Sequence, residues 1–266
     1  MVYQGKYFYP DPDNTIISIY VENNEPYEGY WLESEKYALE GFEELLESKK
    51  YKKILDVGAG TGRLINQYKE CFSEITIVEP DSVMLAKAKK RLKDKKGVCF
   101  INNTLLMAQL PSSSYDMILC SHTLQFITPY NLENFLEKIY KLLKPGGYLF
   151  LLTSHSRKKE SYYIKTFIDY HRIKSKKISE KKFTSLRTNY ETTLVQKLFS
   201  ISELKELFSD FKLIEYKVFH ILNNHKFLDK IIFRDRFYNM LPHKGCYGKD
   251  VYMLLKKPKK MFRKSS

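Results

Sequence analysis

An α/β fold built on a mostly parallel sheet is predicted by three observations. Short apolar runs alternate with helical patterns from residue 53 to 153, the rhythm of strands joined by crossover helices. The first run, Lys53 to Val57, passes straight into a turn with three glycines and then into a helical stretch. Near the end of the series a breaker cluster, Lys144-Pro145-Gly146-Gly147, separates an amphipathic helix from another apolar run.

The elements follow in order. Leu39, Phe42, Leu45 and Leu46 recur at helical spacing and predict a helix from about Leu32 to Lys49. Lys53-Ile54-Leu55-Asp56-Val57 is a buried strand, Arg63 to Cys71 a helix, and Ile75 to Glu79 a second strand. A charged helix from Ser82 to Lys95 leads to a third strand, Val98 to Ile101, and Tyr115 to Cys120 is the fourth. Phe135, Leu136, Ile139, Leu142 and Leu143 line one side of a helix from Leu132 to Leu143, and Tyr148 to Thr153 is the fifth strand. The rhythm then breaks over residues 155–197. Ser200 and Glu203 match a capping box opening another helix. Lys212 to Leu222 and Asp250 to Leu255 are two late strands.

The 266 residues carry a formal net charge of +14, and the surplus is local. Residues 155–200 hold twelve Lys/Arg against four Asp/Glu, and residues 256–266 hold six with no acid, so the rest is balanced. This asymmetry fits an anionic partner such as nucleic acid, phosphate, an acidic carrier or a membrane surface. It fits equally a coding bias toward Lys, Asn, Ile, Tyr and Phe. Cys71, Cys99, Cys120 and Cys246 lie far apart without metal-ligand spacing, so no metal is expected. Cys99 and Cys120 read as small hydrophobes in buried strands. No apolar run reaches the roughly 18–20 residues of a membrane span, and the first ten residues lack an apolar secretory core, which reads as a cytoplasmic chain. The expected organisation is a helical lead (1–50), a sheet domain (51–257) with inserts 155–199 and 223–249 forming a cap, and a basic tail (258–266).

Chemistry begins at Ile54-Leu55-Asp56-Val57-Gly58-Ala59-Gly60-Thr61-Gly62-Arg63. A turn without side chains bends tightly and lets a bulky ligand approach. The helix start beyond it offers free N–H groups. Further on, the second strand ends in Glu79, placed to accept hydrogen bonds from both ribose hydroxyls of a nucleoside. Pro80 holds that strand end extended.

These residues resemble the first motif of the class I S-adenosylmethionine-dependent methyltransferases. Their G-x-G-x-G spacing differs from the G-x-G-x-x-G of nicotinamide enzymes. The likeness continues in family order through Glu79, Tyr115-Asp116-Met117-Ile118-Leu119, Ser121-His122-Thr123-Leu124-Gln125-Phe126 and Leu142-Leu143-Lys144-Pro145-Gly146-Gly147, roughly residues 50–155. It implies a seven-stranded, mostly parallel Rossmann-like sheet with helices on both faces, the last strand antiparallel, an N-terminal lid and a small cap. The implied cofactor is S-adenosyl-L-methionine. Gly58, Ala59 and Gly60 would lie along its methionine and ribose, Asp56 would face the methionyl amino group, and Glu79 would hold the ribose. Pro80 or Asp81 would flank the adenine, and Ser121 and His122 would lie near the sulfonium. The family often places an acid after the third strand. Here Ile101-Asn102-Asn103-Thr104 has none, and Asn103 or Thr104 takes that place.

Methyl transfer from a sulfonium is an in-line displacement that needs alignment, exclusion of water and a deprotonated acceptor. His122 and His155 are the candidate bases, His155 lying just past the fifth strand, where open α/β sheets gather ligands. Tyr7, Tyr20, Tyr27, Tyr30 and Trp31 are candidates for an aromatic lid. Three readings stay open. The acceptor is an N or O atom of a small molecule beneath the inserts, or a tRNA or rRNA held by Arg157-Lys158-Lys159, Lys174 to Lys182 and the tail. In the third, the chain binds the cofactor without transferring methyl groups. The Asn-Pro-Pro-Tyr-like and Pro-Cys motifs of base-methylating enzymes are absent, and no RNA-binding module is recognisable.

Overall fold

The computed structural model describes residues 27–48, 51–169, 172–188, 194–219, 231–242 and 247–259. Tyr7, Tyr20, Cys246 and residues 260–266 of the basic tail lie outside the described residues, as do the side chains of Tyr27, Tyr30 and Trp31.

Helix α1 (Tyr27–Ser48) leads into β1 (Lys53–Val57), α2 (Arg63–Tyr68), β2 (Glu74–Val78), α3 (Ser82–Arg91), β3 (Val98–Ile101), β4 (Tyr115–Ser121), α4 (Pro129–Leu142) and β5 (Leu143–Ser154). The chain continues with β6 (Tyr162–Asp169), β7 (Arg172–Ile178), α5 (Glu180–Thr188), β8 (Leu194–Leu198) and α6 (Ile201–Leu207). It ends with β9 (Lys212–Phe219), α7 (Ile231–Met240) and β10 (Asp250–Lys256).

Seven strands form one sheet in the order β3-β2-β1-β4-β5-β10-β9. β1 pairs in parallel with β2 and β4, and β4 in parallel with β5. β10 runs antiparallel to both β5 and β9. From β1 the chain moves to one side through β2 and β3, then crosses to β4 on the other side. The carboxyl ends of β1 and β4 therefore flank a switch point, where open α/β sheets form their ligand crevice.

Side-chain alternation sends each strand's residues to two cores. Ile54 joins Leu39, Phe42, Ile65 and Leu85 on the α1–α3 face, while Leu55 and Val57 join Phe135, Ile139 and Leu204 on the α4–α6 face. The predicted stripe of α4 is buried at Phe135, Ile139 and Leu142, and Pro129 starts that helix with a φ already suited to it. α1 packs on α7 and β9. No helix among the described residues is long and apolar enough to cross a membrane.

Several local expectations change. The segment 155–197, which shows no rhythm in sequence, is a three-stranded antiparallel sheet in the order β7-β6-β8. Tyr163, Phe183, Leu186 and Val195 give it a separate small core beneath α5. Its lysines hide the pattern, because Lys165 shares a face with both Val195 and Lys176. Cys99 is exposed rather than buried, since β3 is a sheet edge, whereas Cys120 is buried. The Lys144-Pro145-Gly146-Gly147 breaker falls within β5, where the register against β4 shifts and Gly146 takes φ +81°. The capping box is half made. Ser200 Oγ accepts from Glu203 N at 3.2 Å, but the Glu203 carboxylate bonds Lys197 and Ser200 N donates to Ser161 Oγ.

Candidate active site

Gly58, Gly60 and Gly62 take φ values of +66°, +55° and +69°, the left-handed region that side-chain-bearing residues rarely adopt. The reasons differ along the turn. A Cβ on Gly58 would meet Thr123 Oγ1, so its bareness serves the protein's own packing before any ligand arrives. Gly60 instead presents its N–H to Glu79 Oε2 at 2.8 Å. Thr123 Oγ1 donates to Val57 O at 2.9 Å, tying the end of β1 to the segment after β4 across the switch point.

Two acids lie beneath this turn. Asp56 sits in β1 between Ile77 and Leu119 and is 2% exposed. Burial, reinforced by the charge of Glu79, pushes its carboxyl up to about 8. Glu79 is fully buried, and burial lifts it to about 7 against the opposing pull of the Asp81 and Gly60 N–H groups. Neither acid has an ion-pair partner among the described residues. The second Glu79 oxygen accepts from Asp81 N at 2.9 Å. Each carboxylate oxygen retains a further lone pair beyond these bonds.

The neighbouring candidates have local tasks as well. Asp81 Oδ1 caps α3, accepting from Val83 N at 2.8 Å and Met84 N at 3.0 Å. Asn103 Oδ1 accepts from Thr104 N, and Thr104 Oγ1 from Met107 N, forming the turn after β3. Asn102, which the sequence reading passed over, donates from Nδ2 to both Glu79 O and Pro80 O at 2.9 Å and so fixes the end of β2. Its signal was available: an amide directly after a strand that pairs with β2. Arg63 grips Glu35 of α1 through two bonds of 2.7 Å, fastening the N-terminal helix to the helix that follows the glycine turn. Ala59 packs against the same α1-side core.

The far end of the crevice is built from β4, β5 and β10. His122 has φ +51°, donates its backbone N–H to Leu152 O at 2.8 Å, and brings Nδ1 within 3.9 Å of Asp250 Oδ1. Ser121 is half-buried beside it. His155 is 2% exposed. Its Nδ1 lies 3.2 Å from both Tyr247 O and Gly248 O, so Nδ1 carries the proton and Nε2 the lone pair. Burial lowers its basicity, offset in part by those two carbonyls. Nε2 is buried and has no hydrogen-bond partner among the described residues. Gln125, which the sequence marks only as part of the loop after β4, is 4% exposed and spans two bodies. Its Oε1 accepts from Ser154 N at 2.9 Å, and its Nε2 donates to Gln196 Oε1 of β8 at 3.0 Å.

The candidates from Asp56 to His155 thus lie along the carboxyl edge of β1 to β5: Asp56 to Gly60 at and past the end of β1, Glu79 to Asp81 after β2, Asn103 and Thr104 after β3, Ser121 and His122 at and past the end of β4, and His155 after β5. A glycine turn lies over buried acids at the switch point of a seven-stranded, mostly parallel Rossmann-like sheet. Residues 54–147 match the family model described as a methyltransferase domain. Among curated relatives, the uncharacterised methyltransferase YodH of Bacillus subtilis is 34% identical over 98 residues, covering 36% of this chain and 40% of its own. Phosphoethanolamine N-methyltransferase of Plasmodium falciparum is 25% identical over 118 residues, covering 44% of each chain. These matches span less than half of the relatives' length. Among solved structures, the 1,6-didemethyltoxoflavin-N1-methyltransferase of Burkholderia thailandensis, with bound 1,6-didemethyltoxoflavin and S-adenosylhomocysteine, superposes with a TM-score of 0.56 at 15% identity. That superposition covers 91% of this chain and 85% of the other.

Proposed function

We propose that the protein transfers a methyl group from S-adenosyl-L-methionine to an N or O atom of a small-molecule acceptor. The observation that carries this reading is the pair Asp56 and Glu79, two buried carboxyls without a cationic partner beside a left-handed glycine turn. Buried charge is costly unless compensated, and a ligand bearing an ammonium and a sulfonium supplies the compensation. When bound, S-adenosylmethionine provides an electrophilic methyl group on positively charged sulfur.

The chain's own residues do the rest. Asp56 holds the amino group, Glu79 grips the ribose, and the Gly58–Gly60 backbone leaves room beside them. Pro80, Asn103 and Thr104 border the adenine, and Ser121 and His122 border the sulfur. The cap formed by β6–β8 roofs the far end and excludes water there. His155, neutral and with Nε2 carrying the lone pair, receives the proton that the acceptor loses. The toxoflavin enzyme, whose fold is similar, is named for methylating a small heterocycle, and the Plasmodium relative for an amine; both support a small acceptor.

The test has two parts. Calorimetry with S-adenosylhomocysteine should give saturable 1:1 binding. Methyl-labelled S-adenosylmethionine is then offered separately with a metabolite extract and with total RNA. Label in the small-molecule pool is expected. Label in RNA alone would overturn the acceptor class, and binding without transfer to either pool would overturn the enzyme reading.

A further inference from the structure

The end of β5 meets the start of β10 beside His155, and the rim of this junction is cationic. His155 N donates to Lys249 O at 2.7 Å, which brings Lys249 to the same edge. Two residues past His155, Arg157 takes φ +56°, a conformation uncommon for residues with side chains. The bend is secured by Ser156, whose N–H donates to Phe199 O at 2.8 Å and whose Oγ accepts from Lys158 N at 3.2 Å. Among the described residues, neither the Arg157 nor the Lys249 side chain has a hydrogen-bond or ion-pair partner. Backbone pairing sets them at one edge, Lys249 beside His155 and Arg157 two residues further on. The Lys249 ammonium is held low first by burial and then by the Arg157 guanidinium, which also depresses the imidazole of His155. Asp250 is the acid that acts on both groups, and it already approaches His122.

Two cationic side chains at one edge, beside a histidine whose Nε2 has no hydrogen-bond partner among the described residues, favour an anion between them. Beyond the rim, Lys158 and Lys177 lie 5.3 and 5.4 Å from the centre of the Tyr162 ring and extend the positive field outward.

We propose that Arg157 and Lys249 form an anion-binding subsite at the mouth of the acceptor cleft, one that takes a phosphoryl or carboxylate group carried by the methyl acceptor. This rests on the methyltransferase reading and narrows it: the acceptor's anionic end stays at the rim while its nucleophilic atom reaches toward His155.

The experiment uses the full chain. Binding of S-adenosylhomocysteine is measured first, and its failure overturns both readings. With that ligand saturating, inorganic phosphate and acetate are titrated separately at constant ionic strength. Binding is followed by calorimetry and by the nitrogen resonances of His155. Saturable binding in about the millimolar range is expected, weakened about tenfold or more in Arg157→Gln/Lys249→Gln, the scale of a lost charge-assisted contact. Lys181→Gln/Lys182→Gln, on the exposed part of α5, should leave it unchanged. Saturation by phosphate alone assigns a phosphoryl group, and saturation by acetate as well assigns a carboxylate. No saturation by either anion, with S-adenosylhomocysteine bound, overturns the subsite alone, as do equal losses in the two double variants. If the first double variant melts early, Lys249→Gln alone carries the comparison.

Discussion

Around the glycine turn, position is fixed by short bonds within the sheet domain: Gly60 to Glu79, Asn102 to the end of β2, and Thr123 to the end of β1. The small sheet β6–β8, which we propose as the cap, is held differently. It has its own core of Tyr163, Phe183, Leu186 and Val195, and it touches the sheet through Gln125–Gln196, Arg187 on Phe126, and the bridge between His155 and Phe199. The first region buries two carboxyl groups that have no ion-pair partner among the described residues, and the second exposes positive charge on a small body. One region is therefore tied into the main sheet bond by bond, while the other is a separate small body joined to it at a few points.

The largest expected effect tests whether the two regions are separable. Phe183→Ala removes the most buried ring of the cap core and should cost the cap about 3–5 kcal/mol of local stability. Hydrogen exchange should accelerate in β6–β8 while β1–β4 and the affinity for S-adenosylhomocysteine stay as they are. A parallel loss of that affinity would break the comparison. Next, Glu79→Ala should weaken S-adenosylmethionine by about 1–3 kcal/mol in calorimetry with cap exchange unchanged; a loss below a few tenths would remove Glu79 as the ribose anchor.

A smaller effect comes from pH. Asp56 and Glu79 are raised to about 8 and about 7. An acid raised on folding stabilises the ligand-free protein most below its ordinary range, and that contribution is lost as pH climbs through the raised value. The free protein should therefore melt lower at about pH 8.5 than at about pH 6. Affinity for the cationic cofactor should rise across the same interval, and Asp56→Asn should flatten both trends. The smallest effect is expected from removing residues 258–266, which should change S-adenosylhomocysteine affinity by no more than about twofold.

The legible parts of the sequence were those with a local cause. Buried parallel strands read as apolar runs, and left-handed turns demand glycine, so β1 to β5 and the Gly58–Gly62 turn were visible with their boundaries shifted by a few residues. Glu79 was visible because it closes a strand. Thr123, Gln125 and Asp250 were not, because each acts on backbone or side chains 28 to 128 positions away, and nothing beside them in the chain announces it. The cap strands were hidden for another reason: a half-exposed antiparallel strand accepts lysine on either face, so β7 shows no clean alternation. At Gly58 a Cβ would meet Thr123 Oγ1, a packing demand set by a residue far away in the chain and so not legible at the turn itself.

Gln125 has a further consequence. One amide group joins the tip of a central strand to the roof, so the two cannot respond independently at that point. Coupling of this kind is reciprocal: whatever steadies the roof must tighten Ser154, next in the chain to His155, and whatever settles beside Ser154 must steady the roof by the same free energy.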